Sequence, residues 1–192
     1  MRTSTTTTCG SNDVSSDAES SAQFDNALRS FLAQYLTVYS QRTKPEPPYL
    51  RNKVSSLFAA VFVATFLNRW PSFFADLFVE NPLVASKSQL VEFYLRVLLD
   101  IDTEIAEKEI LRKREEDERN TLLKDKMRET CIEALTASWL DILVKSFPSE
   151  PQVTVLCLNV VGSYISWIDI NLIANDKFIP AIVRTFGHPD TQ

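Results

Sequence analysis

Apolar side chains return every three or four positions in one segment after another, from Phe24 almost to the end of the chain. This spacing places them along one side of an α-helix. Glycine, which many tight turns of β-proteins require, occurs only 3 times in 192 residues. Together the two features predict an all-α fold and argue against a β-sandwich or a β-barrel.

The first helix is expected to follow a disordered tail. Residues 1–23 are rich in Ser, Thr and Asp and show no apolar periodicity, so they offer little surface to bury. The first helix is predicted from Phe24 to Tyr39. Its apolar face consists of Phe24, Ala27, Leu28, Phe31, Leu32, Tyr35, Leu36 and Tyr39. Three prolines between positions 45 and 48 then predict a stiff connector.

The remaining segments predict further helices. The second, from about Leu50 to Trp70, is apolar on nearly every side, which indicates burial on several faces. The others are a short helix from Pro71 to Val79, one capped by Ser88, a long one from Arg119 to Phe147, one from about Pro151 to Ile168, and a last one capped by Asp169. The antiparallel pair from Arg119 to Ile168 has the length of one HEAT repeat, so the order predicts a HEAT-like α-solenoid over residues 24–187 with a short tail at 188–192.

Residue types that carry catalysis and metal binding are scarce. The glycines at 10, 162 and 187 cannot build a phosphate-binding loop, and Gly162 is expected to allow close helix packing. One histidine and three scattered cysteines lack the spacing of zinc ligands, and Cys131 and Cys157 are predicted to be buried free thiols. We therefore expect no enzyme activity, no metal, no cofactor and no small-molecule substrate.

The sequence also shows no recognisable signal peptide or membrane-spanning segment. The N-terminal residues lack the apolar core of a signal peptide. The longest apolar run, Leu57 to Leu67, is well short of the roughly 20 residues that a membrane span needs. The sequence predicts no membrane association and a nuclear or cytosolic setting.

The charge distribution leaves few candidates for contacts to phosphate. The net charge of −5 argues against a broadly basic nucleic-acid-binding protein. Within the charged segment 104–119, either a solvated helix or a mobile loop is expected; the alternative makes Arg112, Lys113 and Arg114 a phosphate-contact patch. The acids at 115–118 weigh against that alternative. Arg51 and Lys53, outside this segment, fit as surface charges at the start of a helix.

Four motifs resemble one known family. They are LRNKVSSLFAAVFVATFLNRWPSFFADLF from position 50, FYLRVL from 93, RNTLLKD from 119, and VVGSYISWIDINLIAND from 160 to 176. They occur in family order and cover most of residues 24–183. The chain resembles the exportin-T family of karyopherin-β proteins, and the last motif is the most specific because general HEAT proteins do not share it.

The resemblance implies a superhelix of HEAT repeats that exports tRNA. It implies cooperative binding of tRNA and Ran-GTP, contact with nuclear pore proteins, and shuttling between nucleus and cytoplasm. Such receptors recognise folded RNA by shape and backbone. The weak candidates for contact with tRNA or Ran are Arg51, Lys53, Arg112, Lys113 and Arg114. Family members are several times longer, so a truncated form is expected. The alternative is a HEAT-type interaction scaffold, or a degenerate paralogue, without transport activity.

Two further expectations concern burial. Trp139 and Trp167 lie within apolar periodic faces, so both are predicted to be buried between helices. The last helix carries a face made of Phe178, Ile179, Ile182, Val183 and Phe186. An open apolar face of this kind predicts self-association that depends on concentration.

Overall fold

The computed structural model describes residues 13–44, 46–81, 84, 86–106 and 113–186. Its α-helices are α1 (Asp13–Ser40), α2 (Pro48–Thr65), α3 (Ser88–Ile105), α4 (Arg114–Thr130), α5 (Ile132–Ser146), α6 (Pro151–Tyr164) and α7 (Phe178–Phe186). A π-helical turn spans Ala75–Val79, and a 3₁₀ turn spans Ile170–Leu172. No strand occurs in these described ranges, and the predicted all-α class is confirmed.

Helices α2, α3 and α6 form one layer in which neighbours run in the same direction. The starts of α2 and α3 are joined by an ion pair between Arg51 and Glu92 (2.9 Å). The starts of α3 and α6 are joined by a hydrogen bond that the Ser88 hydroxyl donates to Glu150. These helices also pack along their length. Parallel rows of this kind are the signature of stacked helical hairpins.

The second layer contains α1, the π-helical turn, α5 and α7. α1 and α5 both contact the turn, and α5 contacts α7. The Arg184 guanidinium near the end of α7 lies 5.8 Å from the centre of the Phe147 ring, which follows α5. Two layers in which each element mainly contacts its neighbours are the arrangement of an α-solenoid, and the predicted HEAT-like architecture is confirmed.

Aromatic side chains fill much of the space between the layers. The Phe58 ring of α2 meets the Phe93 ring of α3 edge-on, with centroids 5.1 Å apart. Trp139 of α5 is fully buried, as predicted, and meets the Tyr164 ring at 5.1 Å. Trp167 is only partly buried, contrary to the prediction, because it follows the end of α6 and its outer side meets Arg128 of α4.

The predicted N-terminal tail is wrong for residues 13–23, which are helical and belong to α1. Residues 19–24 are exposed, so this part of the helix has no buried face to create a periodic pattern. The apolar spacing begins only where α1 reaches the rest of the molecule. Residues 1–12, the rest of the predicted tail, lie outside the described residues. So do the predicted C-terminal tail at 188–192 and Pro45, the first proline of the predicted connector.

The predicted long helix from Arg119 to Phe147 is two helices. Cys131 leaves helical geometry, with φ −134° and ψ −15°, and separates α4 from α5. The apolar spacing continues through this break, which is why the sequence pattern concealed it. The described part of the charged segment also belongs mostly to a helix, because α4 begins at Arg114.

Two predicted caps differ from the structure. Ser88 is the first residue of α3 and uses its hydroxyl on Glu150, while Lys87 takes the N-cap position. The Asp169 carboxylate does accept a backbone hydrogen bond, from Asn171 (3.0 Å), but the 3₁₀ turn is what it caps. The side chain of Asn175 starts α7, by accepting from the backbone N–H of Phe178 (2.9 Å).

Gly162 does not serve close packing. A Cβ placed on it would meet no atom within 4 Å, and the residue is exposed on α6. The prediction for this glycine is wrong. No helix in the described ranges combines the length and the apolar character that crossing a bilayer requires.

Candidate functional site

A charged seam follows the exposed side of the contact between α2 and α3. The Glu92 carboxylate lies between two guanidinium groups, those of Arg51 (2.9 Å) and Arg96 (2.8 Å). Further along, the Asp100 carboxylate accepts a hydrogen bond from the Ser55 hydroxyl (2.6 Å). We call these five residues the α2–α3 seam. It is basic at the starts of the helices and acidic toward their ends.

Arg51 is turned inward and Lys53 outward. The Arg51 side chain is only 17% exposed, because it reaches across to α3. Its Nε is buried and has no hydrogen-bond partner in the described part of the chain. Lys53 is exposed, and no ion pair to it occurs among the described residues. The structure therefore does not bring these two sequence candidates together on one face.

An open groove lies beside the seam, between α3 and α6. It has a volume of about 490 Å³. Its lining residues are Glu92, Arg96, Pro151, Gln152, Val155, Leu156 and Asn159. The groove combines one guanidinium, one carboxylate, amide groups and partly buried apolar side chains, which suits binding of a polar macromolecular surface.

The second sequence candidate lies at the start of α4. The Arg114 side chain is 92% exposed and forms an ion pair with Glu118 (2.8 Å). The backbone N–H of Lys113 donates to the Glu116 carboxylate (2.9 Å). Arg112 lies outside the described residues. The neighbouring acids thus neutralise much of this patch and place negative charge where a phosphate would have to approach.

Sequence reasoning missed Glu92 and Arg96. A glutamate four residues before an arginine on one helix face is a readable signal for an ion pair, so that part could have been found. The ion pair between Glu92 and Arg51 joins two separate helices, so the spacing of residues along one helix could not predict it. The structure shows that Arg51 holds α2 against α3, which limits its freedom to contact a partner.

The cysteines do not form a reactive site. Burial raises the pKa of the Cys131 thiol and of the Cys157 thiol to about 12. Both thiols therefore stay protonated at neutral pH, and the nucleophilic thiolate form is scarce. Cys157 is buried, while Cys131 is only partly buried, so the prediction of burial is confirmed for the former alone.

The motif with the most specific resemblance contributes to packing. The Tyr164 hydroxyl donates to the backbone carbonyl of Leu98 in α3 (3.0 Å), and burial raises its pKa. The Trp167 indole N–H donates to the Asp102 carboxylate (2.8 Å). Arg128 of α4 donates to the Trp167 carbonyl (2.8 Å). These residues fasten α3 and α4 to the end of α6, so the motif specifies how the helices stack.

Comparison with known proteins gives consistent matches. The family model described as "Exportin 1-like protein" matches residues 47–192. The Exportin-T of Danio rerio is 43% identical over 159 residues, covering 83% of this chain and 16% of that protein. The Exportin-T of Homo sapiens is 42% identical over 161 residues (84% and 16%), and that of Aspergillus fumigatus 31% over 182 residues (92% and 17%). The chain thus spans about one sixth of the length of these relatives.

Proposed function

This chain belongs to the exportin 1-like family, and from that premise we propose that it forms a segment of a nuclear export receptor for tRNA. The receptor would bind tRNA together with Ran-GTP, contact nuclear pore proteins, and move its cargo from nucleus to cytoplasm. The observation that carries the proposal is the family match over residues 47–192, which includes the whole α2–α3 seam and the groove beside it. Exportin-T relatives at 30–43% identity, together with the family motifs in the sequence, support the choice of tRNA as the proposed cargo.

The layer of α2, α3 and α6 is the surface that we propose for partners. Solenoids bind partners along the continuous face of one helix row. Here that face carries the α2–α3 seam and the groove lined by Arg96 and Asn159. Among the sequence candidates, Lys53 is the most available for contact, because it is exposed, whereas Arg51 is engaged with Glu92. Lys113 and Arg114 remain weaker candidates beside their own acids.

Charge limits what this segment contributes to RNA binding by itself. The chain has 20 Lys and Arg against 25 Asp and Glu. Ion pairs such as Arg51 with Glu92 and Arg114 with Glu118 also occupy several of the basic side chains. Affinity for RNA depends on many free cations that displace counterions. We therefore expect the isolated chain to bind tRNA in the micromolar range or more weakly, with a steep loss in salt and no gain from Ran-GTP.

The decisive experiment places the chain in a whole receptor. In a chimera, it replaces the corresponding segment of the Danio rerio Exportin-T, and labelled tRNA is titrated with and without Ran-GTP. We expect binding that Ran-GTP strengthens. A chimera that folds, with an unchanged helical spectrum, but binds neither partner would favour the alternative of an interaction scaffold without transport activity.

A matched pair of variants tests the proposed surface in the chimera. Lys53→Glu should weaken tRNA or Ran-GTP binding, because it places an acid on the row of α2, α3 and α6. Lys177→Glu makes the same charge change at an exposed position beside α7, in the other layer, and should have no comparable effect. Equal losses of binding in both variants would show that only the net charge matters, and would contradict the proposal that partners bind the face of α2, α3 and α6.

A further inference from the structure

The connector between α1 and α2 carries prolines that the proposed function does not use. The sequence from position 42 reads RTKPEPPYL, with prolines at 45, 47 and 48. The first and the last of these prolines form a PxxP pattern, because two residues separate them. Segments with this pattern, in the polyproline II conformation, bind domains whose groove is lined by aromatic side chains.

The described part of the connector has the polyproline II conformation. Pro47 has φ −54° and ψ 137°, close to the values of about −75° and +145° that define this helix. The Pro47 carbonyl accepts hydrogen bonds from the backbone N–H groups of Leu50 (3.0 Å) and Arg51 (3.1 Å), so α2 begins directly after the prolines and holds them in place. A partner therefore loses little binding energy in ordering this segment.

The connector turns one of its sides toward its own chain. The Glu46 side chain is buried, and its carboxylate accepts a hydrogen bond from the Tyr35 hydroxyl of α1 (2.8 Å). A polyproline II helix has three residues per turn and hence three sides. Lys44 and Pro47 share a second side and Pro48 belongs to the third, and all three residues are exposed. Two adjacent sides of the connector are thus free for a groove to cover.

The connector lies along an edge of the solenoid. α1 ends beside the start of α3, because the Gln89 side-chain amide donates to the carbonyls of Tyr39 (3.1 Å) and Ser40 (3.0 Å). The starts of α3 and α6 lie on this same edge. Neighbouring repeats of a solenoid stack at the two ends of the array, whereas the connectors between helices follow its edges. A further repeat stacked on α1 therefore does not occupy the position of these prolines.

The charge around the prolines indicates which kind of groove fits them. Lys44 is exposed, and no ion pair to it occurs among the described residues. The Arg42 side chain is 38% exposed, although it pairs with Glu46. Glu46 is the one acid in positions 42–50, and it points inward. Tyr49 extends the accessible apolar surface, since it is 73% exposed. An apolar run beside positive charge complements an aromatic groove with an acidic rim.

We call the exposed residues Lys44, Pro47, Pro48 and Tyr49 the connector ridge. We propose that the connector ridge binds an SH3-type domain of another protein. The aromatic groove of that domain covers the two free sides of the connector, and its acidic rim contacts Lys44. This interaction is separate from tRNA export, because it uses the edge of the solenoid and not the face of α2, α3 and α6.

Calorimetric titration of the full chain with a panel of purified SH3 domains with acidic groove rims measures the interaction. We expect binding for which Pro47→Ala raises the dissociation constant at least about tenfold, because alanine removes the proline ring and frees the backbone of the connector. Pro71→Ala is the matched control: Pro71 is also exposed but follows the end of α2, and its replacement should leave the constant unchanged. Circular dichroism and thermal unfolding check that both variants keep the fold.

Three further variants test the charge and the side of the contact. Lys44→Glu should weaken binding, most strongly at low salt, because it places an acid against the acidic rim. Lys177→Glu makes the same charge change beside α7 and should have no effect. Glu46→Gln keeps an acceptor for the Tyr35 hydroxyl on the inward side, so it should change the dissociation constant far less than Pro47→Ala does.

Three results would overturn the proposal. The first is that no SH3 domain of the panel binds the wild-type chain, even if WW domains, which also recognise prolines, do bind it. The second is binding that Pro47→Ala leaves intact. The third is a loss of binding in folded Glu46→Gln as large as that in Pro47→Ala, because this would place the contact on the inward side.

Discussion

Helices α1 and α4 both expose a long face to solvent, and the two faces have opposite composition. The exposed side of α4 is dense in charge, with Arg114, Glu115 and Glu118 in its first turns and Arg128 and Glu129 in its last. The exposed side of α1 from Ser20 onward has no charge at all. The face of α4 is well hydrated and interacts poorly with apolar surfaces. The face of α1 is suited to contact with another surface.

The two helices attach to the molecule in similar ways. α1 attaches mainly through apolar and aromatic side chains: Leu32 and Leu36 are fully buried, and the Tyr39 ring lies 5.4 Å from that of Phe93. An ion pair from Asp25 to Arg69 adds a polar anchor. α4 likewise buries Leu123 and Met127 and adds the polar anchor Asn120. The inner sides of the two helices are therefore more alike than their outer sides. In a solenoid helix, the buried side is therefore determined by the helices packed against it, whereas the composition of the exposed side can vary independently.

The largest effect is expected on the inner sides, where the two helices are alike. Leu36→Ala in α1 and Leu123→Ala in α4 should each lower the free energy of unfolding by about 2–5 kcal/mol, because both side chains are fully buried. Urea unfolding followed by circular dichroism measures both. If only Leu123→Ala destabilises the chain, α1 is not firmly packed against the other helices, and the inner sides of α1 and α4 are not alike.

The polar anchor of α4 should have the next largest effect. The Asn120 side-chain amide donates to the Glu104 carbonyl of α3 (3.0 Å) in a buried position. Asn120→Ala should cost about 1–3 kcal/mol, since it removes the buried amide that donates to this backbone carbonyl. Thr121→Ala is the control, because Thr121 is exposed and bonds only to its own helix. Equal costs for both variants would mean that helix propensity, and not the anchor, explains the loss.

Arg128 offers a smaller test of the other end of α4. Its guanidinium lies 5.6 Å from the centre of the Trp167 ring. Arg128→Met keeps the length of the side chain but removes its charge and its hydrogen bond to the Trp167 carbonyl, so it should cost about 1–2 kcal/mol and shift the tryptophan fluorescence. Arg114→Met removes the same charge from a side chain that is 92% exposed and should leave both measurements unchanged.

The smallest effect is expected on the outer faces, where the two helices differ most. At concentrations that keep the chain monomeric, Phe31→Ser and Leu122→Ser should each change the free energy of unfolding by no more than about 0.5 kcal/mol. A large loss of monomer stability in Phe31→Ser would show that this side chain packs within its own chain.

The sequence predicted the helices better than the direction in which each one faces. The spacing from Phe24 to Tyr39 identified a helix and placed Phe31 and Leu32 on the same apolar face. In the structure Leu32 is fully buried and Phe31 is mostly exposed. An apolar stripe wider than one contact surface cannot show which part of it meets the core, because that depends on helices distant in sequence. The break at Cys131 was hidden for a similar reason, since the apolar spacing continues across it.

The candidate site was predictable only within single helices. Glu92 and Arg96 occupy spacing that indicates an ion pair, but the role of Arg51 depends on the packing of α2 against α3. Family resemblance did identify the chain, through residues such as Tyr164 and Trp167. Those residues specify stacking, so the resemblance carried more information about the fold than about contacts to partners.

The pattern of neighbours around α3 bears on how the chain folds. α3 contacts α1, α2, α4 and α6, whereas α7 contacts mainly α5. Folding should therefore start around α3 and spread outward. In native-state hydrogen exchange, the amides of α7 should open at the lowest free energy and those of α3 at the free energy of global unfolding.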